Sequence, residues 1–384
     1  MKGMGFAMKT KIASAVLFAL ILLILPIVTL LWPKVEFSEM ENRMLAKPPR
    51  LSFTTIDNRS FMDGVEDYFS DHFIGRDTWV AAKGYMEYYS GKRENNSVYI
   101  CDNRLIEDLP EPDMDKTQKN IDAIKKFVET NKMPTYLMLV PTAAEIYGDE
   151  LPYGAASWSQ REYIKEISRA LSGIANEIDV AKVLYEHKSE YLYYRTDHHW
   201  TTTGAYYAFC EAAERMGIHS TNFKAYNIEN VSHDFYGTLY SKVGYRDIQP
   251  DIISLYSRRD GTPVQQVEVF DGKQTTPYDS MYFKDFLNKK DQYSVFLGQN
   301  QPIVTIKTGS TGGKSIVVFK DSFANSLVPF LADFYSTITM VDLRYINESY
   351  SKVLDLKAYD QALLLYNVDS FGRSTDISKL GVGG

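Results

Sequence analysis

Residues 314–330 read KSIVVFKDSFANSLVPF, and the order of residue types in this stretch carries the fold. Ser315–Phe319 is a short β-branched and aromatic run of strand length, and the residues from Asp321 onward are spaced as a helix. A strand that meets a helix through a tight turn is the repeating unit of a parallel α/β sheet. The same turn exposes the hydroxyl of Ser322, and the helix start behind it offers backbone N–H groups to a developing oxyanion. Taken alone, Asp321-Ser322 reads first as a helix cap.

Working outward, the alternation repeats. STITMVDL (336–343) and QALLLY (361–366) are further strands toward the C-terminus. Toward the N-terminus, KTQKNIDAIKKFVETNK (116–132) reads as a helix, TYLMLV (135–140) as a strand and SQREYIKEISRALSGIANEI (159–178) as a helix. VAKVLY (180–185) reads as a short strand, and TTTGAYYAFCEAAERMG (201–217) as a helix with threonine caps and Gly217 near its end. Short apolar runs separated by helices predict a mostly parallel sheet covered on both faces. Between about 220 and 300 the alternation stops. There GTLYSKVGY, IISLYS, VQQVEVF and SMYFKDF read as short strands joined by Gly, Asp and Pro turns, a β-rich insertion in the α/β core.

From Ile12 to Trp32 the chain carries no charge, IASAVLFALILLILPIVTLLW, which is the length a bilayer-spanning helix needs. Lys2, Lys9 and Lys11 precede it, so the positive-inside rule puts residues 1–11 in the cytoplasm and the rest of the chain outside. Pro26 and bulky residues run straight into Trp32-Pro33 with no small-residue cleavage site, which favours an uncleaved anchor over a signal peptide. Residues 33–110 read as a juxtamembrane linker, with Pro48-Pro49, followed by one or two amphipathic helices that hold a structural Asp71-His72 pair. Residues 111–376 form the α/β domain, and 377–384 read as a flexible tail.

The 384 residues are 45% hydrophobic and 24% charged, the composition of a folded protein. A net charge of -7 argues against a nucleic-acid binder, which needs basic surface to displace counterions. Two cysteines, Cys101 and Cys210, exclude a disulfide framework and a Cys-rich zinc site. The 28 tyrosines suit wet or carbohydrate-facing surfaces as well as strands.

Residues 193–209, YYRTDHHWTTTGAYYAF, put Asp197, His198, His199 and Trp200 on a loop that ends at a threonine-capped helix. A carboxylate two residues from an imidazole can fix its tautomer and support the imidazolium. The adjacent histidines could instead bind a metal, or one could simply be packed, and packing is the stronger of these two alternatives.

The TDHHW-TTTGA string and the later DSF resemble the bacterial DHHW-motif proteins, relatives of the alginate O-acetyltransferase proteins in the wider SGNH hydrolase superfamily. SEMENRMLAKPP, DHFIGRDTW, LMLVPT with IYGDELP, and YGTLYSKVGY extend the resemblance over most of the chain beyond the apolar segment. It implies an SGNH-hydrolase-like three-layer fold. It also implies Asp197 as orienter, His199 as base and Ser322 as nucleophile. Arg344, in VDLRY, is the matching family arginine, and Asp321, Trp200 and Asn367 join it as candidate oxyanion or substrate-binding residues. Lys320 stands where many SGNH enzymes have Gly, the late Asp-x-x-His block is absent, and His198 has no role carried over.

These readings imply a membrane-anchored serine acyltransferase or esterase acting on a cell-envelope or exported polysaccharide. No cofactor or metal is expected, and a membrane partner that delivers acetyl groups fits the resemblance. A non-catalytic glycan-binding or scaffold protein is the alternative. A metal-dependent phosphoesterase is a third reading, disfavoured because such enzymes need further Asp-rich ligand motifs and usually work inside the cell.

Overall fold

A computed structural model describes residues 2–57, 60–218, 223–261, 263–310, 313–347 and 349–382. The chain divides into two compact units, Met1–Gly91 with Gly244–Arg246, and Lys92–Val243 with Asp247–Gly384.

In the first unit, α1 (Lys2–Leu31) contains, among the described residues, the one stretch long and apolar enough to cross a membrane, Met8–Leu31. Within the expected linker, Phe37–Ser38 pairs with Arg43–Met44 in a small hairpin. A short helical turn over Phe53–Asp57 and the longer helices α2 (Ser60–Asp71) and α3 (Arg76–Tyr89) follow. Asp71 accepts hydrogen bonds from Arg43 (2.9 Å) and the Ala46 amide (2.8 Å), and His72 bonds the Ala46 carbonyl (2.9 Å), so this pair is structural. Gly84 of α3 lies so close to Gly244 that a Cβ would come within 2.3 Å of its backbone.

The second unit starts earlier than residue 111, because the hairpin Val98–Ile100/Leu105–Glu107 buries Tyr99, Cys101 and Ile106 in its core. Its elements, in chain order, begin with α4 (Met114–Asn131), β1 (Thr135–Val140), α5 (Gln160–Ala170), β2 (Asn176–Glu177), α6 (Ala181–Glu186) and α7 (Thr202–Met216). Next come β3 (Tyr226–Phe235), α8 (Thr238–Lys242), β4 (Asp251–Arg258), β5 (Val264–Phe270), β6 (Thr275–Tyr278) and β7 (Ile303–Thr308). The chain closes with β8 (Lys314–Lys320), α9 (Ala324–Leu331), β9 (Tyr335–Val341), β10 (Gln361–Asn367) and α10 (Val368–Arg373).

The eight-stranded sheet runs β6-β5-β7-β9-β8-β10-β1-β2. From β9 to β2 every neighbour is parallel, whereas β7, β5 and β6 extend the other side antiparallel. Side chains alternate between two cores, as a period of two requires. Met138, Val318 and Leu363 face the helices α7 and α9, while Leu139, Phe319 and Leu364 face α4 and α5. The architecture is the expected α/β arrangement, a large sheet with a parallel half and helices on both faces.

Several local expectations give way. Val180–Tyr185 is helical (α6), because Val180 and Leu184 are both buried one helical turn apart and the adjacent sheet position is filled by Asn176–Glu177, paired with Tyr136–Leu137. The helix read over 159–178 accordingly stops at Ala170. GTLYSKVGY is not a strand but the short helix α8, with Leu239 and Ser241 turned inward. SMYFKDF makes only an isolated bridge, Tyr282 with Phe296, before a helical turn over Lys284–Asn288. The β-rich insertion splits: β3 and β4 form a separate ribbon, whereas β5 and β6 join the main sheet. Of the expected flexible tail, Asp376–Val382 is a helical turn with Ile377 and Leu380 buried, and residues 383–384 lie outside the described residues.

Candidate active site

The parallel half of the sheet sets out the site. β8 is followed by Ser322, β9 by Arg344, β10 ends at Asn367 and β1 is followed by Thr142, so four neighbouring strands deliver these residues at their carboxyl ends. That edge is where ligands bind in open α/β sheets. Ser322, Arg344, Asn367, Thr142 and His198 line one cavity of about 390 Å³, with α8 contributing Thr238 and Lys242.

Ser322 sits in the turn before α9, which begins at Ala324 rather than at Asp321. Its hydroxyl does not cap the helix. Ser322 Oγ lies 2.7 Å from His199 Nε2, and His199 Nδ1 lies 2.6 Å from Asp197 Oδ1. A carboxylate can only accept, so Nδ1 carries the ring hydrogen and Nε2 of the neutral ring is left to accept the serine hydroxyl. Two stretches 123 residues apart thus meet in one hydrogen-bonded line.

Asp197 is locked from both sides. Oδ1 also accepts the His199 amide (3.0 Å), and Oδ2 accepts the Thr238 amide (2.8 Å) and hydroxyl (3.0 Å). Burial pushes this carboxyl up, but the charges of His198 and His199 and these donors outweigh it and hold it well below the usual carboxylate range. His199 is pushed down to about 4, first by burial and then by the neighbouring His198, against the opposing pull of Asp197. The ring is therefore neutral at neutral pH, the state in which Nε2 can act as a base.

Trp200 and Asp321 do not face the cavity. The Trp200 indole is fully buried, and its N–H donates to the Phe323 carbonyl (3.0 Å) and Ser326 Oγ (2.9 Å), tying the histidine loop to the serine turn. Asp321 is buried and accepts the Phe323 amide (2.9 Å) and the Asn367 amide (2.7 Å), clamping the turn to the end of β10. Burial pushes its carboxyl up, and those two amides pull the other way. Both residues tie together the segments that carry the cavity's lining residues.

Arg344 and Asn367 do line the cavity. Arg344 is held by Asp342 through two parallel bonds, Nε to Oδ1 (2.9 Å) and Nη2 to Oδ2 (2.7 Å). Asn367 Oδ1 accepts the Ser370 amide (2.8 Å), which fixes the orientation of its side-chain amide. Lys320 lies beneath the turn, its ammonium donating to Asn300 (2.8 Å) and Asn325 (2.9 Å) and standing 3.5 Å from Asp342. Burial lowers its pKa, and the charge of Asp342 opposes that shift. The Lys320 side chain is thus buried among these three partners.

Four contributors are absent from the sequence-based set. Tyr293 stacks on the His199 ring (centroids 3.9 Å apart, 9° between planes), and its hydroxyl donates to the Ser322 carbonyl (3.1 Å). Gly237 packs so tightly on Asp197 that a Cβ would come within 2.3 Å of it, and Thr238 supplies the donors just described. Asp251, on β4, accepts the amides of Arg195 (2.7 Å) and Thr196 (2.8 Å) and so fixes the loop leading into Asp197. Gly237 and Thr238 lie in the YGTLYSKVGY string, while Tyr293 and Asp251 carry no local signal.

Asp197, His198 and His199 offer donor atoms within 4.8 Å of one another. Both Asp197 oxygens and both His199 nitrogens are already spent on protein partners, so this set does not fit a metal centre.

The family described as DHHW protein matches residues 127–341. Among solved structures, the chain is similar to a DHHW family protein from Eubacterium siraeum (26% identity, TM-score 0.65, covering 74% of this chain and 95% of that one). It is also similar to Bacillus cereus PatB1, solved with a sulfonyl adduct (18% identity, TM-score 0.61, 73% and 97% covered). No curated protein sequence matches this chain.

Proposed function

The chain belongs to the DHHW protein family, and from that premise we propose that it is a serine acyltransferase or esterase, carrying acetyl groups to or from the hydroxyls of an envelope or exported polysaccharide. The observation that carries this reading is the unbroken line from Asp197 through His199 to Ser322 at the mouth of a polar cavity.

In the proposed reaction, Ser322 Oγ attacks the acyl carbonyl carbon while His199 Nε2 takes its proton, and Asp197 stabilises the imidazolium that forms. The proton then leaves with the donor's departing oxygen. An acceptor hydroxyl next gives its proton to His199 and displaces Ser322, which regains a proton. The Ser322 amide, without an acceptor among the described residues, and the Asn367 side-chain NH₂ are the donors available to the oxyanion. Arg344, pre-oriented by Asp342, is available to an acyl or sugar oxygen.

The apolar helix supports anchoring, with Lys2, Lys9 and Lys11 on the cytoplasmic side and the second unit outside. A membrane protein that hands over acetyl groups would then supply the donor, since acyl-CoA stays inside.

Purified protein given an activated acetyl ester is expected to turn it over, and Ser322→Ala to lose at least about a thousandfold of that rate. An arylsulfonyl fluoride should add one sulfonyl mass to the peptide holding Ser322, in keeping with the adduct captured on PatB1. Full turnover by Ser322→Ala removes the serine from the chemistry.

A further inference from the structure

His198 takes no part in the line just described, yet it borders the same cavity and keeps about a third of its side chain exposed, 31%. Its ring lies against His199, centroids 3.9 Å apart and 38° between planes. His198 Nδ1 is 2.9 Å from Thr238 Oγ1, and that hydroxyl is 3.0 Å from Asp197 Oδ2.

These contacts fix the tautomer of His198. A hydroxyl has one hydrogen, and the ionised carboxylate of Asp197 is the stronger acceptor, so Thr238 donates to Asp197. Thr238 Oγ1 must then accept from His198, which places the ring hydrogen on Nδ1. The neutral ring is left with a bare Nε2, the nitrogen free for a ligand. Two neighbouring imidazoles, both carrying their hydrogen on Nδ1 through bonds that end on Asp197, therefore offer two acceptor nitrogens side by side. Once Ser322 is acylated, its hydroxyl no longer occupies His199.

We propose that His198 is an acceptor-binding residue: Nε2 receives a hydrogen bond from the hydroxyl vicinal to the one that attacks, so the site selects vicinal diols, such as those of a sugar ring, over simple alcohols and water. The inference rests on the acyl-transfer reading above. In the transfer step the attacking oxygen bonds to the acyl carbon, the Ser322 Oγ–acyl bond breaks, and the proton passes through His199 to Ser322. The vicinal hydroxyl keeps its proton and stays bound to His198. A polar site built to pair with a hydroxyl discriminates strongly against a ligand that lacks one.

The test uses the full chain, a p-nitrophenyl acetate donor, and methyl glucoside, trans-1,2-cyclohexanediol and cyclohexanol as acceptors. The readout is the ratio of transfer to hydrolysis of the acetylated enzyme. Wild type should favour the two diols over cyclohexanol by about tenfold or more, His198→Phe should bring that preference down to about twofold, and His198→Gln, which returns a polar atom near the Nε2 position, should restore part of it. A diol preference that survives in His198→Phe overturns the assignment, as does wild type that treats all three alcohols alike. Mass spectrometry of the Ser322 peptide separates the two levels. Without an acetylated Ser322 the acyl-transfer reading fails and takes this proposal with it, whereas an acetylated Ser322 with no diol preference defeats the proposal alone.

Discussion

At the residue scale, the electrostatics of Asp197 and His199 act together. In the proposed reaction His199 must be neutral to accept the Ser322 proton, and burial beside His198 lowers it to about 4. The kcat/KM for an acetyl ester should therefore stay level from neutral pH down to about 5 and then fall by about tenfold per unit below 4. Stability moves the same way. In the unfolded chain the imidazole returns to its ordinary 6.5 and binds protons that the folded ring refuses, so folding stability is lost as pH drops from 6.5 toward 4. Asp197, held low in the fold, adds a loss of the same sign when it is forced to protonate. A pH–rate profile run beside thermal melts across this range checks both, and an acid limb near 6.5 would mean that His199 is not held in this environment. Asp197 and His199 could be read from the sequence because two residues on one loop already set their distance. Tyr293 could not, because its stack on His199 is made wholly by tertiary packing of a segment with no motif of its own.

Among the elements, the entry to α8 bears directly on the site. Gly237 has ordinary extended backbone dihedrals, so its need for glycine is one of space, since any Cβ would sit on Asp197. Gly237→Ala should displace Asp197 or α8, costing about 1–3 kcal/mol of stability and at least about tenfold in ester turnover. Chemical denaturation and steady-state kinetics on the same preparation test this, and unchanged values in both would show that the contact relaxes freely. Elements whose apolar run exceeds one turn of ambiguity, such as β8 and α7, were legible. Val180–Tyr185 and Thr238–Lys242 within GTLYSKVGY mislead because five or six residues with mixed apolar content satisfy both periods, and only the competing occupancy of the sheet by Asn176–Glu177 decides the first.

For the whole molecule, the alternation of strands and helices foretold the parallel half of the sheet, since each β-α unit buries its own apolar face. The antiparallel half reads as an insertion because the sequence offers VQQVEVF as one short strand and signals neither β6 beside it nor the edge of β7 on which it docks. The anchor reading carries its own test. Expressed in a bacterium with its first 32 residues, the protein should sediment with membranes, resist carbonate extraction and retain the N-terminal peptide, while external protease should digest the second unit. Recovery of a soluble chain beginning near Val35 would instead identify the segment as a cleaved signal.

The outer strand β6 is short, fully exposed and carries Pro277 opposite Glu268. A ladder tolerates proline where the missing amide hydrogen would have pointed away from the neighbour. The free margin of the sheet therefore lacks a donor at its midpoint, and an incoming strand cannot zip along it. A single imino acid thus withholds the donor that edge-to-edge pairing between two copies would need.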